Sequence, residues 1–150
     1  MTDRRGMALA IALFALVVVG ALVATAFFIA RLEQQSGRNV RFAYQATEAA
    51  EAGLSDAIGT LTQVALQGMP VGGTLPLPDI TMGNGVSANA GVVRLTGTLY
   101  LIRSAGHRAD AAGNELATRT LGSLVKLVSD SVSGTNVVRR VRERSWVEMW

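Results

Sequence analysis

Several residue types are scarce in this chain, and each scarcity excludes a class of site. Cysteine is absent from the 150 residues, so no disulfide can brace a domain and thiol catalysis is excluded. His107 is the single histidine, which excludes a metal site built from several histidines. With 14 basic and 11 acidic side chains the formal net charge is +3, too small an excess to indicate nucleic acid as a partner.

One long segment lacks charge altogether. Residues 7–30 contain no Asp, Glu, Lys or Arg, and as a helix they would reach about 36 Å, enough to cross a hydrocarbon core of about 30 Å. Arg4 and Arg5 precede the segment and the bulk of the chain follows it. The positive-inside tendency therefore predicts a single span with a cytoplasmic N-terminus. Ala24-Thr25-Ala26 leaves a cleaved export signal open, although the apolar run is longer than such signals use.

Beyond the span, the pattern becomes that of an amphipathic helix over residues 31–68. Small and apolar residues recur at steps of three and four, which places them on one helical face. Gly68-Met69-Pro70 supplies a stop signal. We predict one continuous helix from Met7 to Gln67, whose second half docks on a sheet. The residues on the docking face are Ala43, Thr47, Ala50, Leu54, Ile58, Leu61 and Ala65, of which Ala50, Leu54, Ile58 and Leu61 are expected to carry the docking.

All three prolines fall within residues 69–85, which we predict to be a loop or linker. The strand-like alternation begins after it. Asn84-Gly85 is a favoured two-residue hairpin turn, and Asp110 to Asn114 and Asp130 to Asn136 are further turn signals. Residues 86–150 are therefore predicted to form a small antiparallel β domain.

The runs between these turns indicate individual strands. Val92 to Arg103 and Leu116 to Val128 are rich in β-branched residues and leucine and predict strands. Val137 to Trp150 fits an outer strand with arginines along an exposed edge, and a helix is left open there. The predicted fold class is α+β: one long N-terminal helix, with a membrane-spanning first half, packed through residues 40–66 on an antiparallel sheet.

Two short segments resemble the N-terminal module of PilX-type minor pilins. Arg5-Gly6-Met7-Ala8-Leu9 resembles its RG-x-AL start, and Ala46 to Leu54 resembles its A-x-x-AEAGL segment. The resemblance covers residues 4–58 and implies a pilin-like fold with residues 1–6 as a prepilin leader. More loosely, Leu99 to Gly106 followed by Thr118 to Leu121 resembles the late hairpin of pilin-like domains.

The resemblance also implies how the chain is processed and assembled. A prepilin peptidase would cut between Gly6 and Met7 and can methylate the new amine. Other pilins or pseudopilins, an inner-membrane assembly platform and membrane lipid are the implied partners. Major pilins place a glutamate at the fifth residue after the cut, where this chain has Ile11; the departure suits a subunit at the tip or in initiation. Small residues in the span allow close helix approach, and the residues expected to pack are Ala8, Ile11, Ala12, Ala15, Gly20, Ala21 and Ala24.

We therefore expect a non-enzymatic structural subunit of the bacterial inner membrane, with its C-terminal domain in the periplasm and without cofactor or metal. It would help to initiate or cap a type IV pilus-like filament. A minor pseudopilin of a type II secretion system shares every N-terminal feature and stays open. So does an envelope binding domain that is anchored in the membrane without prepilin processing.

Other motifs are better explained as turns and edges. Ser104, His107 and Asp110 are the residue types of a hydrolase triad, but the members of a triad normally converge from distant segments. Residues 83–88 fit G-x-G-x-x-A without the strand and helix that a phosphate-binding loop requires. Glu143 interrupts the arginines at positions 139 to 144 and Glu148 follows them, and a solvated strand edge explains these arginines better than contact with DNA phosphates.

Overall fold

The fold is that of a computed structural model, which describes residues 4–61, 63–129, 136–141 and 147–149. The chain divides into two compact units, Met1–Arg38 and Asn39–Trp150. Helix α1 begins at Arg4 and ends at Thr60, so both units contain part of it.

The first unit, where it is described, consists of α1 alone. Residues 7–38 are all exposed, including large apolar side chains such as Leu9, Phe14 and Phe27. Alanine and leucine, two strong helix formers, dominate this stretch, and no proline interrupts it. The helix is long and apolar enough to cross a membrane, which agrees with the sequence prediction of a spanning segment.

The second unit packs the remainder of α1 and a short helix α2, Gln63–Gln67, with an antiparallel sheet. Seven strands belong to the sheet within the described residues, in the order β1-β3-β4-β5-β6, with β2 also paired to β3 and β7 also paired to β5. The predicted α+β class, a long N-terminal helix on a small antiparallel sheet, is confirmed. The strands are β1 Thr74–Pro76, β2 Ile80–Gly83, β3 Val86–Arg94, β4 Leu99–Ala109, β5 Glu115–Ser129, β6 Asn136–Arg140 and β7 Val147–Met149.

Two of the predicted turns are present. Asn84 and Gly85 join β2 to β3 with φ angles of 52° and 71°, the left-handed backbone that a two-residue hairpin turn requires. Between β4 and β5, the Asp110 carboxylate accepts hydrogen bonds from the backbone N–H groups of Ala112 at 2.9 Å and Asn114 at 2.8 Å. The third predicted turn, residues 130–136, lies outside the described residues except for Asn136.

The prediction of a loop over residues 69–85 is wrong in part, because β1 and β2 lie within it. Both strands pair with β3. Leu77 donates its N–H to Ala90 O at 2.9 Å, so alternate residues of this segment bond to β3. Pro76 occupies an outward position, where its missing N–H removes no ladder bond and blocks pairing with a further strand. An edge strand therefore tolerates the residue that suggested a loop.

The continuous helix predicted to Gln67 is also wrong, since α1 ends at Thr60 and α2 follows as a separate helix. Gly59 and Thr60 are weak helix formers, and the Thr60 hydroxyl donates back to Asp56 O at 2.9 Å, a bond that bends helices. The break lets α2 bury Leu66, whose carbonyl accepts a hydrogen bond from the Tyr100 hydroxyl at 3.0 Å.

Two strand predictions need smaller corrections. The run from Val92 to Arg103 is interrupted by a turn, in which Leu95 and Thr96 donate their N–H groups to Leu99 O. The predicted outer strand over residues 137–150 is two short strands, β6 and β7, which pair with different parts of β5. Where residues 137–150 are described, they hold strands and not the alternative helix, because the long β5 offers them backbone partners.

The core of the second unit lies between α1, α2 and one face of the sheet. Buried residues alternate with half-buried or exposed ones along β4, with Tyr100, Ile102, Ser104 and Gly106 facing the helix. Leu54 of α1 packs with these strands and is fully buried.

Truncation of Leu54 tests this packing. Leu54→Ala should lower the free energy of unfolding by about 2–5 kcal/mol, because it leaves a cavity between helix and sheet. The measurement is urea unfolding of the detergent-solubilised full chain, followed by the β-sheet circular dichroism signal. Val71→Ala, at a side chain that is 64% exposed, is the control. Equal midpoints for both variants would contradict the packing described.

Candidate functional site

The surface that joins α1 to the sheet is the candidate functional site, because it is formed by the segment that resembles a pilin motif. Small residues at helical spacings of three and four form its helical side, and all of them are buried. Such spacing gives one continuous stripe along a helix. The residues are Ala46, Ala49, Ala50, Gly53 and Ala57.

Helix and sheet approach so closely here that two positions leave no room for a side chain. A Cβ atom added to Gly106 of β4 would overlap the backbone of Ala46 and Ala50 and would lie 3.0 Å from the Ala49 Cβ. A Cβ added to Gly53 of α1 would overlap the Ser104 hydroxyl and would lie 3.0 Å from the Ala88 Cβ. The contact is therefore made by backbone and small side chains, and larger residues would separate the two layers.

The structure places the four predicted docking residues at unequal depths. Ala50 and Leu54 are fully buried, whereas Ile58 and Leu61 are half-buried at the margin of the core. The deepest line of α1 instead follows the small residues just described. Their depth was missed because a pattern weighted by hydrophobicity favours large side chains, while the closest approach occurs where the side chains are smallest.

Two serines face the helix in the same contact. Ser104 and Ser123 are fully buried, and within the described part of the chain their hydroxyls have no hydrogen-bond partner. They are diagonal neighbours, since Ser104 pairs with Leu121 and Ile102 pairs with Ser123. An unpaired buried hydroxyl is unfavourable by about 1–3 kcal/mol, so these two reduce the stability of the contact.

Arg94, which the sequence did not single out, ties α2 to the β3–β4 turn. Its guanidinium donates to the carbonyls of Gln67, the last residue of α2, and of Met69 just beyond it, and to Gly97 O at 2.8 Å. It also lies over the Tyr100 ring, 5.7 Å from the centroid. A cation at unsatisfied helix-end carbonyls is favourable, so this side chain fixes where the short helix ends.

Arg108 makes a second link at the other end of the sheet. Its Nε donates to Gln45 Oε1 at 2.9 Å, and its Nη1 donates to the carbonyls of Asn84 and Ala109. The guanidinium carbon lies 5.6 Å from the centroid of the Phe42 ring. Arg108 thus joins α1 to the β2–β3 turn beside a cavity of about 440 Å³.

The residues predicted for processing and membrane packing all lie on α1 in the first unit. Gly6 and Met7 are consecutive helical residues near its start. At 100° per residue the predicted packing positions divide between two opposite sides of the helix. Ala8, Ile11, Ala12 and Ala15 share one side, and Gly20, Ala21 and Ala24 share the other.

The three residues of the considered hydrolase triad do not converge. Ser104 faces the helix and is fully buried, whereas His107 lies on the opposite face of β4. His107 Nδ1 lies 3.1 Å from both Glu115 Oε2 and Thr118 Oγ1. Asp110 belongs to the β4–β5 turn.

Two carboxyl groups near this end of the sheet have lowered pKa values. Hydrogen bonds from Thr118 and then from His107 lower the pKa of Glu115. The pKa of Asp110 is lowered chiefly by the side-chain amide of Asn114, at 2.9 Å, and by the Asn114 backbone N–H. Both effects stabilise the charged carboxylate and thereby the turn between the strands.

Substitution of Gly106 tests the close contact directly. Gly106→Ala should destabilise the second unit by about 1–3 kcal/mol or more, because the new methyl group forces helix and sheet apart. Thermal or urea unfolding of the full chain in detergent measures the change. Gly97→Ala is a matched control, since a Cβ there would meet nothing within 4 Å. Equal stability of the two variants would show that the layers can separate without loss.

Comparison with known proteins finds no relative of this chain. No protein-family model matches the chain, and neither a curated protein nor a solved structure shows significant similarity to it.

Proposed function

We propose that this chain is a minor pilin, a structural and non-enzymatic subunit that helps to initiate or cap a type IV pilus-like filament. The observation that carries the proposal is the seating of the Ala46–Leu54 segment on the sheet by backbone contact. That segment and the Arg5-Gly6-Met7 junction are the two places where the sequence resembles PilX-type pilins, and a long apolar helix contains both.

The exposed apolar helix supplies the physical basis of the mechanism. An isolated helix with Leu9, Phe14 and Phe27 exposed requires lipid or other helices around it. In the bacterial inner membrane, lipid covers these side chains, with the N-terminus in the cytoplasm and the second unit in the periplasm. Assembly then exchanges helix–lipid contacts for helix–helix contacts with other pilins, on the inner-membrane assembly platform.

The two sides of small residues in α1 fit this exchange. Ala12 and Ala15 lie on one side and Ala21 and Ala24 on the other, and each side allows a neighbouring helix to approach closely. A subunit that contacts two neighbours at once needs such surfaces on two sides. The arrangement therefore supports packing between helices better than a single anchor in lipid.

Ile11 bears on the position of the subunit within the filament. A carboxylate within hydrocarbon is costly unless it is paired, and shaft subunits of the resembled family accept it in order to meet the amine of a neighbour. With isoleucine this chain enters the bilayer easily but offers no such pairing. The first subunit to assemble, at the tip, has no earlier neighbour whose amine must be neutralised.

The first test concerns processing by a prepilin peptidase. We expect a mature N-terminus at Met7 in the membrane-extracted protein, and Gly6→Val should block the cut because a branched side chain replaces the small residue at the scissile bond. N-terminal sequencing measures the start. Gly59→Val is the control, at a helical glycine with open space around it. An intact Met1, or a start near Phe27, in the wild-type protein would reject the assignment.

The second test concerns abundance. Because Ile11 removes the pairing used along a shaft, the chain should be scarce in sheared filaments, and its deletion should nevertheless strongly reduce filament number. Quantitative mass spectrometry gives the copy ratio to the major subunit, and a complemented deletion strain is the control. A copy number comparable to that of the major subunit would contradict the tip position.

A further inference from the structure

We propose that the second unit docks head to tail on a second copy of itself, with the acidic helix face of one copy against the basic sheet face of the next. The proposal goes beyond the minor-pilin function and does not depend on peptidase processing. It rests on two like-charge pairs of opposite sign, one on each side of the unit.

The acidic pair is Glu48 and Glu51 on α1. Both are exposed and flank the buried Ala49 and Ala50; Glu51 lies on the side of α1 away from the sheet, and Glu48 borders the cavity beside Arg108. Residues three apart on a helix have Cβ atoms about 5–6 Å apart, and like charges at such spacing are destabilising. In the part of the chain that is described, neither carboxylate has a hydrogen bond or ion pair. Arg41, the nearest basic residue along the helix, lies two turns earlier, about 10 Å along the axis.

The basic pair is Lys126 of β5 and Arg139 of β6. They are directly opposite each other in the strand register, and both are exposed. Lys126 lies between the buried Val125 and Leu127, so it points away from the helix. Directly opposed like charges weaken a strand pair, and among the residues whose side chains are described no acidic group forms an ion pair with either of them.

The spacings of the two pairs are complementary. Directly opposite residues of an antiparallel pair have Cβ atoms about 4.5–5.5 Å apart, close to the separation of the two glutamates. Two carboxylates can therefore meet two cations in a single contact, and each like-charge repulsion becomes an attraction. Arg103 adds a third exposed cation on the same face of the sheet, which strengthens the potential that an acidic surface would meet.

The geometry also decides the symmetry of the contact. Because the acidic pair lies on the helix side of the unit and the basic pair on the sheet side, two copies cannot satisfy both contacts in a closed two-fold dimer. The contact is heterologous, and heterologous contacts continue as open stacks unless their rotation closes a ring.

Charge exchange between two variants tests the proposal. One variant carries Glu48→Lys and Glu51→Lys, and the other carries Lys126→Glu and Arg139→Glu. Each variant then has like charge on both faces and should not dock on itself. Mixed together, the variants present a basic helix face to an acidic sheet face and an acidic helix face to a basic sheet face, so docking should return.

Cysteine crosslinking of the full chain in detergent micelles measures this docking. Because the native chain has no cysteine, only the introduced cysteines react. Ser55→Cys lies on the acidic helix face and Val137→Cys lies beside Arg139 on the sheet face; both positions are exposed. A short bifunctional maleimide should join the two reporters in wild-type chains at low salt. The yield should fall as salt shortens the screening length from about 10 Å at 0.1 M to about 3 Å at 1 M. Ser55→Cys with Ala111→Cys, at the exposed β4–β5 turn, is the control pair.

The crosslinking results distinguish the proposed contact from other modes of association. Crosslinks in the wild type that disappear in each charge-reversed variant alone and return in the mixture would establish the contact. The proposal is overturned if the wild type gives no Ser55–Val137 crosslink, if each variant alone crosslinks like the wild type, or if folded variants fail to recover when mixed. Circular dichroism melting of each variant provides the check on folding. Association through the membrane helices alone would give equal yields for the test pair and the control pair, which also overturns the proposal.

Discussion

The backbone contact between Gly106 of β4 and α1 at Ala46 and Ala50 sets the geometry of the second unit. Because a Cβ at Gly106 would overlap the helix backbone, neither layer can move closer, and any larger residue would move them apart. Leu54, Ile102 and Tyr100 then fill the space that opens along the same stripe. The contact fixes the separation of helix and sheet, and the larger core residues fill the space that this separation leaves.

The small residues of this contact contribute little to the free energy of unfolding of the second unit. No cysteine is present to brace it, and alanine contributes little apolar area when it is buried. Ser104 and Ser123 are buried in the same contact without hydrogen-bond partners among the described residues. Arg94 and Arg108 stabilise the unit at opposite ends by donating hydrogen bonds to backbone carbonyls. The small residues allow helix and sheet to approach closely, and the two arginines join the ends of the contact to the neighbouring loops.

Local signals predicted the features that depend on local chemistry. Asn84-Gly85 required a left-handed backbone and predicted a hairpin that the structure contains. The apolar run from Met7 likewise predicted a long helix. The errors arose where tertiary contacts overrode local preference. Pro76 suggested a loop but occupies an outward edge position, where its missing N–H has no consequence.

The depth of Gly106 could not be derived from the sequence for a different reason. Its importance comes from the register that brings it under Ala46 and Ala50, and register depends on pairings across β3, β4 and β5 that no local pattern encodes. Its neighbour in the strand, Ser104, was considered with His107 as part of a hydrolase triad, an interpretation that the sequence analysis set aside. Alternation along β4 instead places the two side chains on opposite faces of the sheet.

The two units use small residues for different purposes. In the second unit, Gly53 and Gly106 are buried against partners within the same chain, so their positions are already occupied. In the first unit, Ala12 and Ala21 are exposed on opposite sides of an apolar helix. Small residues at a helix surface stabilise nothing until another backbone approaches, since alanine exposes little area of its own. The first unit therefore has an exposed surface suited to association, whereas the second unit already has a buried core. A division of this kind is what a subunit requires if it must remain folded both in lipid and among neighbouring helices.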